Sequence, residues 1–331
     1  MGQVTFYRET AVSSTHANVA LHVSEEVAAA VAGGRPVVAL ESTIFTHGLP
    51  RPRNLEVAVE AEERLRSQGV VPATIGVFAG APTVGLSREQ ITSLSNDGAV
   101  KKVSLRDLPV AAALRLHGGT TVAATAFLAH RAGITVFSTG GLGGVHHGAA
   151  TSFDESADMT TLASIPIVVV SAGVKSILDV AATLERFETL NIPVVGYKTK
   201  KYPGFYVSDS GYALEYAVNT PEEVAAICSA RDALHIQSAI LLANPIAEDK
   251  QFPPAKLDDI LSRAWAQAEK NGIKGKDTTP FLLDFIQRET NGRSVNVNVE
   301  VYRSNVSLGG EVAIALTRLP GGMTMPSTSE A

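Results

Sequence analysis

Two ionisable side chains in this sequence stand at the ends of apolar runs, where proton transfer and covalent catalysis are easiest to build. Glu41 closes the run PVVALE, and Lys175 follows IPIVVVSAGV. A carboxylate directly after apolar residues sits at the edge of a buried strand. Desolvation there raises its pKa and suits it to general acid–base work. A structural carboxylate capping a turn fits the same pattern. The segment VKSILDVAATLERF reads as a helix from residue 174 onward. The positive end of its dipole and the apolar neighbourhood would both disfavour an ammonium at Lys175. A neutral amine is the nucleophile that a Schiff base with a sugar aldehyde needs. The competing reading is a surface lysine snorkelling from a helix end.

Further donors lie between these two. In TSFDESADMT, Asp154 and Asp158 are four residues apart, so a helical turn places both on one face. Such a pair can hold a divalent ion such as Mg²⁺ or Mn²⁺, largely through water, or can be a plain acidic first turn. STGGLGGVHHGA, residues 138–149, offers glycine N–H groups that can cradle a phosphate, although it is not a dinucleotide fingerprint. His146 and His147 are adjacent and point differently in regular structure, so only one can face a ligand. Lys101 and Lys102 alternate direction in a strand, with the same consequence. RPRN and KTKKYPGFY are basic patches that fit the rim of an anionic pocket better than a nucleic-acid surface. There is no G-x-S-x-G elbow, no Walker A loop and no H-E-x-x-H motif.

These groups need a frame that brings strand ends together. β-branched runs alternate with amphipathic helical runs from about residue 24. Strands are expected over residues 36–40, 73–78, 134–138, 165–170, 192–197 and 239–243. Helices are expected over 54–67, 120–132, 174–190 and 257–271, with a capping box at Ser87 and Gln90 and a cap at Thr220. Continuous apolar strands with intervening helices predict an α/β fold: a single three-layer α/β/α domain with a mostly parallel central sheet. Ligands collect where such strands end in glycine-rich loops. STIFTHGLP, FAGAP, STGGLGGVHHGA and SAGVK all follow apolar runs. SVNVNVEVYRSNV alternates apolar and polar residues, which predicts a strand over residues 295–302.

The bulk properties set the class. The 331 residues are 45% hydrophobic and 18% charged, with a net charge of -5. These values describe a globular chain with no basic stripe for nucleic acid and no polybasic run for a membrane surface. Cys228 is the one cysteine, so no internal disulfide can form, and its helical context makes it a core residue. No stretch of 18 apolar residues and no secretory leader is present. A cytoplasmic enzyme is expected. Residues 1–20 read as a flexible arm, 21–319 as the catalytic domain and 320–331 as a flexible polar tail.

VVALESTIFTHGLPRPRN, GVVPATIGVFAGAPTVGLS, VKKVSLRDLP, GGTTVAAT, GITVFSTGGLGGVHHGA, SFDESAD, SAGVKSILD, ANPI and TPFLL occur in order from about residue 24 to 318. Together they resemble the pseudouridine-5'-phosphate glycosidase family, with its indigoidine-cluster and C-glycosynthase relatives. The resemblance implies reversible cleavage of pseudouridine 5'-phosphate to uracil and ribose 5-phosphate, a lyase-type reaction on a carbon–carbon glycosidic bond. It implies Mn²⁺ or another divalent ion such as Mg²⁺, and a homotrimer. It makes Glu41 the proton donor, Lys175 the nucleophile and Asp154 the metal ligand. Lys102 and Val122 become substrate contacts, and Ser156, Ala157 and Asp158 line the substrate site. His146 and Asn298 match pocket positions. A carbon–carbon glycosidic bond has no leaving oxygen to protonate, so ring opening and an imine serving as electron sink are the chemistry these residues imply. The chain departs from the family pattern at SNVSLGG, at NVEVY with Glu300 and Tyr302, at STIFTHGLP and at HHGA. Those positions bear on the base or acceptor. A C-glycosynthase joining ribose 5-phosphate to another ring is therefore the alternative. A non-catalytic sugar-phosphate binder has no use for Lys175, and a Schiff-base aldolase barrel lacks its eightfold pattern here.

Overall fold

The apolar runs become strands and the amphipathic runs helices in the computed structural model, which describes residues 20–273 and 278–319. In chain order the elements are β1 (His22–Val23), α1 (Glu25–Ala32), β2 (Val37–Glu41), a π-helical turn (Ile44–Gly48), α2 (Arg53–Ser67), β3 (Val71–Phe78) and β4 (Ala81–Val84). Next come α3 (Arg88–Asn96), β5 (Lys101–Val103), α4 (Leu108–Ala113), β6 (Gly118–Thr120), α5 (Val122–Arg131), β7 (Val136–Ser138), α6 (Ala149–Ser152), α7 (Ala157–Leu162) and β8 (Val168–Ser171). The chain continues through α8 (Val180–Thr189), β9 (Val194–Tyr197), β10 (Tyr216–Val218), α9 (Pro221–Ala233), β11 (Ile240–Ala243), α10 (Pro254–Lys270), α11 (Thr278–Glu289) and α12 (Arg293–Thr317).

The strands form one sheet in the order β1-β4-β3-β2-β7-β8-β11-β9-β10, with β6 pairing β3 and β5 to one side. Only the β3–β4 and β3–β6 pairs are antiparallel. Both faces are covered, and β2 shows how. Val37 and Ala39 point into one apolar cluster, while Val38 and Leu40 point into the other. Helices α1, α4, α5, α7, α8, α10 and α11 bury side chains in the first cluster. Helices α2, α3, α9 and α12 fill the second. This is the three-layer α/β/α architecture that the alternating pattern predicts. Each fully buried Leu, Val or Phe contributes about 1.5–3 kcal/mol of transfer free energy.

Local signals fix the helix starts. Ser87 and Gln90 make the reciprocal capping box, at 3.3 and 2.9 Å. The hydroxyls of Thr121 and Thr220 accept from Ala124 N and Glu223 N. Cys228 is buried on α9 and unpaired. Among the described residues no helix is long and apolar enough to cross a membrane.

Two expectations are corrected. Residues 295–302 are not a strand but lie within α12. Val297 and Val301 enter the first cluster, and Val299, Tyr302 and Val306 the second. A helix buried on two sides accepts apolar residues at alternate positions, so the two-residue period does not discriminate there. Nor does a helix begin at residue 174: Asp179 caps α8, accepting from Ala182 N at 3.0 Å, and residues 172–179 are a loop. The flexible arm and tail expected at the two ends lie, apart from Ala20, outside the described residues.

Candidate active site

The parallel strands β2, β7, β8 and β11 bring Glu41, Thr139, the 172–179 loop and Asn244 to one edge of the sheet. Glu41 is the last residue of β2 and is buried, 6% exposed. The hydroxyl of Thr139 donates to its Oε1 and that of Thr43 to its Oε2. Burial pushes the carboxyl up from its ordinary value; the Lys175 charge and the two hydroxyls pull it back. A carboxyl held in this balance can give or take a proton with little rearrangement.

Lys175 is half-buried on the loop after β8. Its N–H donates to the Leu142 carbonyl at 3.1 Å, and Leu142 and Val174 form a parallel bridge. Val174 N donates to the buried Tyr202 hydroxyl at 3.0 Å, and Ser176 Oγ donates to the Gly204 carbonyl at 2.5 Å. Gly173 turns this loop at φ 80°, where a Cβ would lie 2.5 Å from the Pro203 oxygen. The lysine therefore stands ahead of α8 rather than on its first turn. The dipole half of the sequence argument fails, and a clamped loop takes its place.

Asp154 and Asp158 do not share a helical face. Asp154 precedes α7 and is half-buried, whereas Asp158 sits inside that helix. Both Asp158 oxygens are engaged: Oδ1 accepts from Ala123 N at 2.9 Å and Oδ2 from Gly143 N at 2.9 Å. Asp158 thus ties the start of α5 to the glycine loop. Gly143 is needed there, since a Cβ would overlap Ser156 Oγ and lie 2.7 Å from Asp158 Oδ2.

His146 and His147 point apart, as expected. His147 is exposed and meets Trp265 edge-on at 5.0 Å. His146 is half-buried, and its backbone N–H donates to the Asp154 carbonyl at 3.0 Å. Its Nδ1 is buried with no partner among the described residues, and the Asp154 carboxylate accepts no protein hydrogen bond there. Burial lowers the His146 pKa and the Asp154 charge opposes this. An unengaged carboxylate beside an orphaned imidazole nitrogen suits a divalent ion that takes its other ligands from water or substrate. No group of three or more His, Cys, Asp or Glu suited to a metal occurs among the described residues.

Lys102, on β5, is solvent-accessible at the rim. Desolvation by the surrounding wall, then the Lys175 charge, lowers its pKa; Asp158 and Glu41 oppose them. Asn298, on α12, places Oδ1 3.4 Å from the point where Gly140 would carry a Cβ. Val122 opens α5 with its side chain in the core, leaving its backbone as the part that can reach a ligand. Ser156 caps α7, accepting from Asp158 N at 3.2 Å, and Ala157 joins the site only by its place next to Asp158. The sequence departures fall outside Glu41 and Lys175. Tyr302 is buried in the second cluster, and Glu300 pairs with Lys250 and Arg303.

Several functional residues escaped the sequence reading. Thr43 and Thr139 hold Glu41, yet both lie inside loops singled out for their glycines. Asn305 is fully buried and donates to the Thr139 and Gly140 carbonyls at 2.8 and 3.2 Å, accepting from Asn244 Nδ2 at 2.9 Å. An amide amid apolar helical residues, as in SNVSL, was the available signal.

The family described as indigoidine synthase A like protein matches residues 26–315. The pseudouridine-5'-phosphate glycosidase of Saccharopolyspora erythraea is 65% identical over 294 residues, covering 89% of this chain and 97% of that protein. Its counterpart from Frankia alni is 55% identical over 293 residues, covering 88% and 81%. The crystal structure of the prealnumycin C-glycosynthase AlnA in complex with ribulose 5-phosphate is similar at TM-score 0.84 and 35% identity, covering 90% of this chain and 97% of that one. An indigoidine synthase A-like protein from Thermotoga maritima follows at 0.82 and 36%, covering 91% and 97%.

Proposed function

Because this chain belongs to the indigoidine synthase A-like family, we propose that it is a pseudouridine-5'-phosphate glycosidase, cleaving the carbon–carbon glycosidic bond to uracil and ribose 5-phosphate. The observation that carries the reading is the buried Glu41 under the charge of Lys175, at the edge of the sheet where the loops converge.

In this reading Glu41 takes a proton from Lys175, whose neutral Nζ attacks C1' of the ribose as the C1'–O4' bond opens, and Glu41 gives that proton to O4'. The attached nitrogen gives up a proton, which Glu41 carries to C5 of the base, and its freed lone pair forms C=N as the C1'–C5 bond breaks. Water hydrolyses the imine, releasing ribose 5-phosphate and the free lysine. Thr139 and Thr43 hold the carboxyl, and the Tyr202 and Leu142 contacts hold the backbone that carries Lys175. Lys102, Ser156, Ala157, Asp158, Asn298 and the Val122 backbone surround the substrate. A divalent ion, Mn²⁺ or Mg²⁺, would be held at Asp154 with His146 beside it and would supply Lewis-acid charge when bound. A cytoplasmic homotrimer completes the proposal, on the strength of the family resemblance.

The likeness to AlnA favours a second reading, in which the same steps run in reverse to join ribose 5-phosphate to another ring. One experiment tests the shared chemistry: borohydride reduction with ribose 5-phosphate, followed by peptide mass spectrometry. A reduced adduct on Lys175 supports it, and an unmodified Lys175 refutes it. Uracil release from pseudouridine 5'-phosphate with added Mn²⁺ then separates the glycosidase from the synthase.

A further inference from the structure

The π-helical turn after Glu41 does more than reverse the chain. It places Thr46 against β6, where a Cβ on Gly119 would overlap Thr46 Oγ1. Gly119 is the register partner of Lys102 on β5. His47, the next residue on the turn, bonds Thr46 Oγ1 through Nδ1 at 2.7 Å, and that hydroxyl donates to the Ser42 carbonyl at 2.9 Å. Thr46, bonded to the imidazole, therefore packs on the register partner of Lys102, and His47 and Lys102 are both exposed. Lys102 and Lys175 take part in none of the ion pairs among the described residues. The nearest acids are already engaged, Asp158 by two backbone N–H groups and Glu41 by two hydroxyls. Lys102 and Lys175 thus bring positive charge to this rim without a direct ion-pair partner among the described residues.

We infer that His47 is a specificity-determining residue that binds, together with Lys102, the phosphate of the sugar phosphate, becoming protonated as the anion arrives. The inference deepens the functional reading above and rests on it for the identity of the ligand. Burial and the Lys102 charge lower the pKa of the unliganded imidazole, and the Val100 carbonyl opposes them. A phosphate between the two cations reverses the Lys102 contribution and draws a proton onto the ring. Other charged groups around the turn are occupied. Arg51 Nε donates to the Ser95 carbonyl, Arg53 pairs with Glu56 on α2, and Asp97, after α3, accepts from Ala99 N. Lys101 alternates to the opposite side of β5.

The test is calorimetry on the full chain with ribose 5-phosphate, with ribose and with inorganic phosphate, at pH 6 and pH 8, in buffers of differing ionisation enthalpy. Wild-type protein, H47Q and H47R are compared. The wild type is expected to take up protons on binding either phosphate. H47Q is expected to lose roughly tenfold in affinity for ribose 5-phosphate at pH 6, little at pH 8, and nothing toward ribose. H47R is expected to restore affinity at both pH values without proton uptake. The second ionisation of the phosphate is common to all three proteins, so their differences isolate residue 47. Equal affinity and equal proton uptake in wild type and H47Q would overturn the inference, as would an equal loss toward ribose. Because binding is read without turnover, failure of the glycosidase assay with these shifts intact sinks only the reaction assignment. Turnover with the shifts missing sinks only the role of His47.

Discussion

Replacing Asn305 by alanine tests whether the α12 helix holds the catalytic edge in place. The substitution removes three side-chain hydrogen bonds, to the Thr139 carbonyl, to the Gly140 carbonyl and from Asn244. They are not equal losses. The Gly140 carbonyl keeps its bond from Ala172 N at 3.1 Å, and Asn244 keeps Ser304 Oγ at 3.0 Å. The Thr139 carbonyl has no other donor among the described residues and is left bare in a buried setting. An orphaned buried acceptor costs about 1–3 kcal/mol. The space vacated by the amide adds about 1 kcal/mol. The expected loss is therefore about 2–4 kcal/mol, read as a lower urea midpoint with an unchanged m-value. Thr139 also carries the hydroxyl that holds Glu41 Oε1, so kcat should fall by about tenfold or more as that oxygen drifts. Asn305→Ala combined with Asn244→Ala should cost less than the separate effects together, because the two amides bond each other. A stability loss below about 1 kcal/mol would refute the accounting. Full destabilisation with kcat intact would show that Asn305 holds the fold but does not position Thr139.

Three further outcomes are expected. A carboxyl whose pKa rises on folding stabilises the native state fully below its ordinary 4.5, and that contribution is lost as pH climbs through the folded value. Glu41→Gln should therefore be inactive yet gain stability relative to wild type as pH rises from 4 to 9; a pH-independent difference in denaturation midpoint contradicts this. Asp158→Asn leaves one amide nitrogen where an acceptor is needed, so either Ala123 N or Gly143 N loses its partner, at about 1–3 kcal/mol in urea denaturation. Gly143→Ala drives a methyl into Ser156 and Asp158, and should abolish uracil release while a circular dichroism spectrum stays native; wild-type turnover would show that this loop has room to move.

The position of Glu41 is legible because it depends on the composition around it. Five apolar residues before Glu41 announce a strand end, and the buried carboxyl stands there. The apolar run before Lys175 likewise marks a strand end, but the clamp of its loop by Tyr202 and Leu142 is a set of contacts across distant segments that no local pattern encodes. The acidic pair was misread because a spacing of four places residues on one face only if both lie in the helix, and Ser156 starts that helix after Asp154. The cue was present, since serine before an acidic first turn is a capping signal. The α12 segment failed for a tertiary reason: alternation means one buried face only when the other face meets water. With two apolar clusters to serve, Val297 and Val299 are both inside.

That placement of α12 has a consequence for biosynthesis. The helix holding Asn298 and Asn305 is the last described element to leave the ribosome, yet it seals the second apolar layer and braces the edge where Glu41 stands. A nascent chain that has already made the whole sheet still exposes Val38, Leu40, Val136 and Val168 along one side. Until the final helix docks, the polypeptide is a half-covered sheet without a braced reaction centre. Premature termination before Arg293 would therefore yield an aggregation-prone, inert product instead of a weakened enzyme.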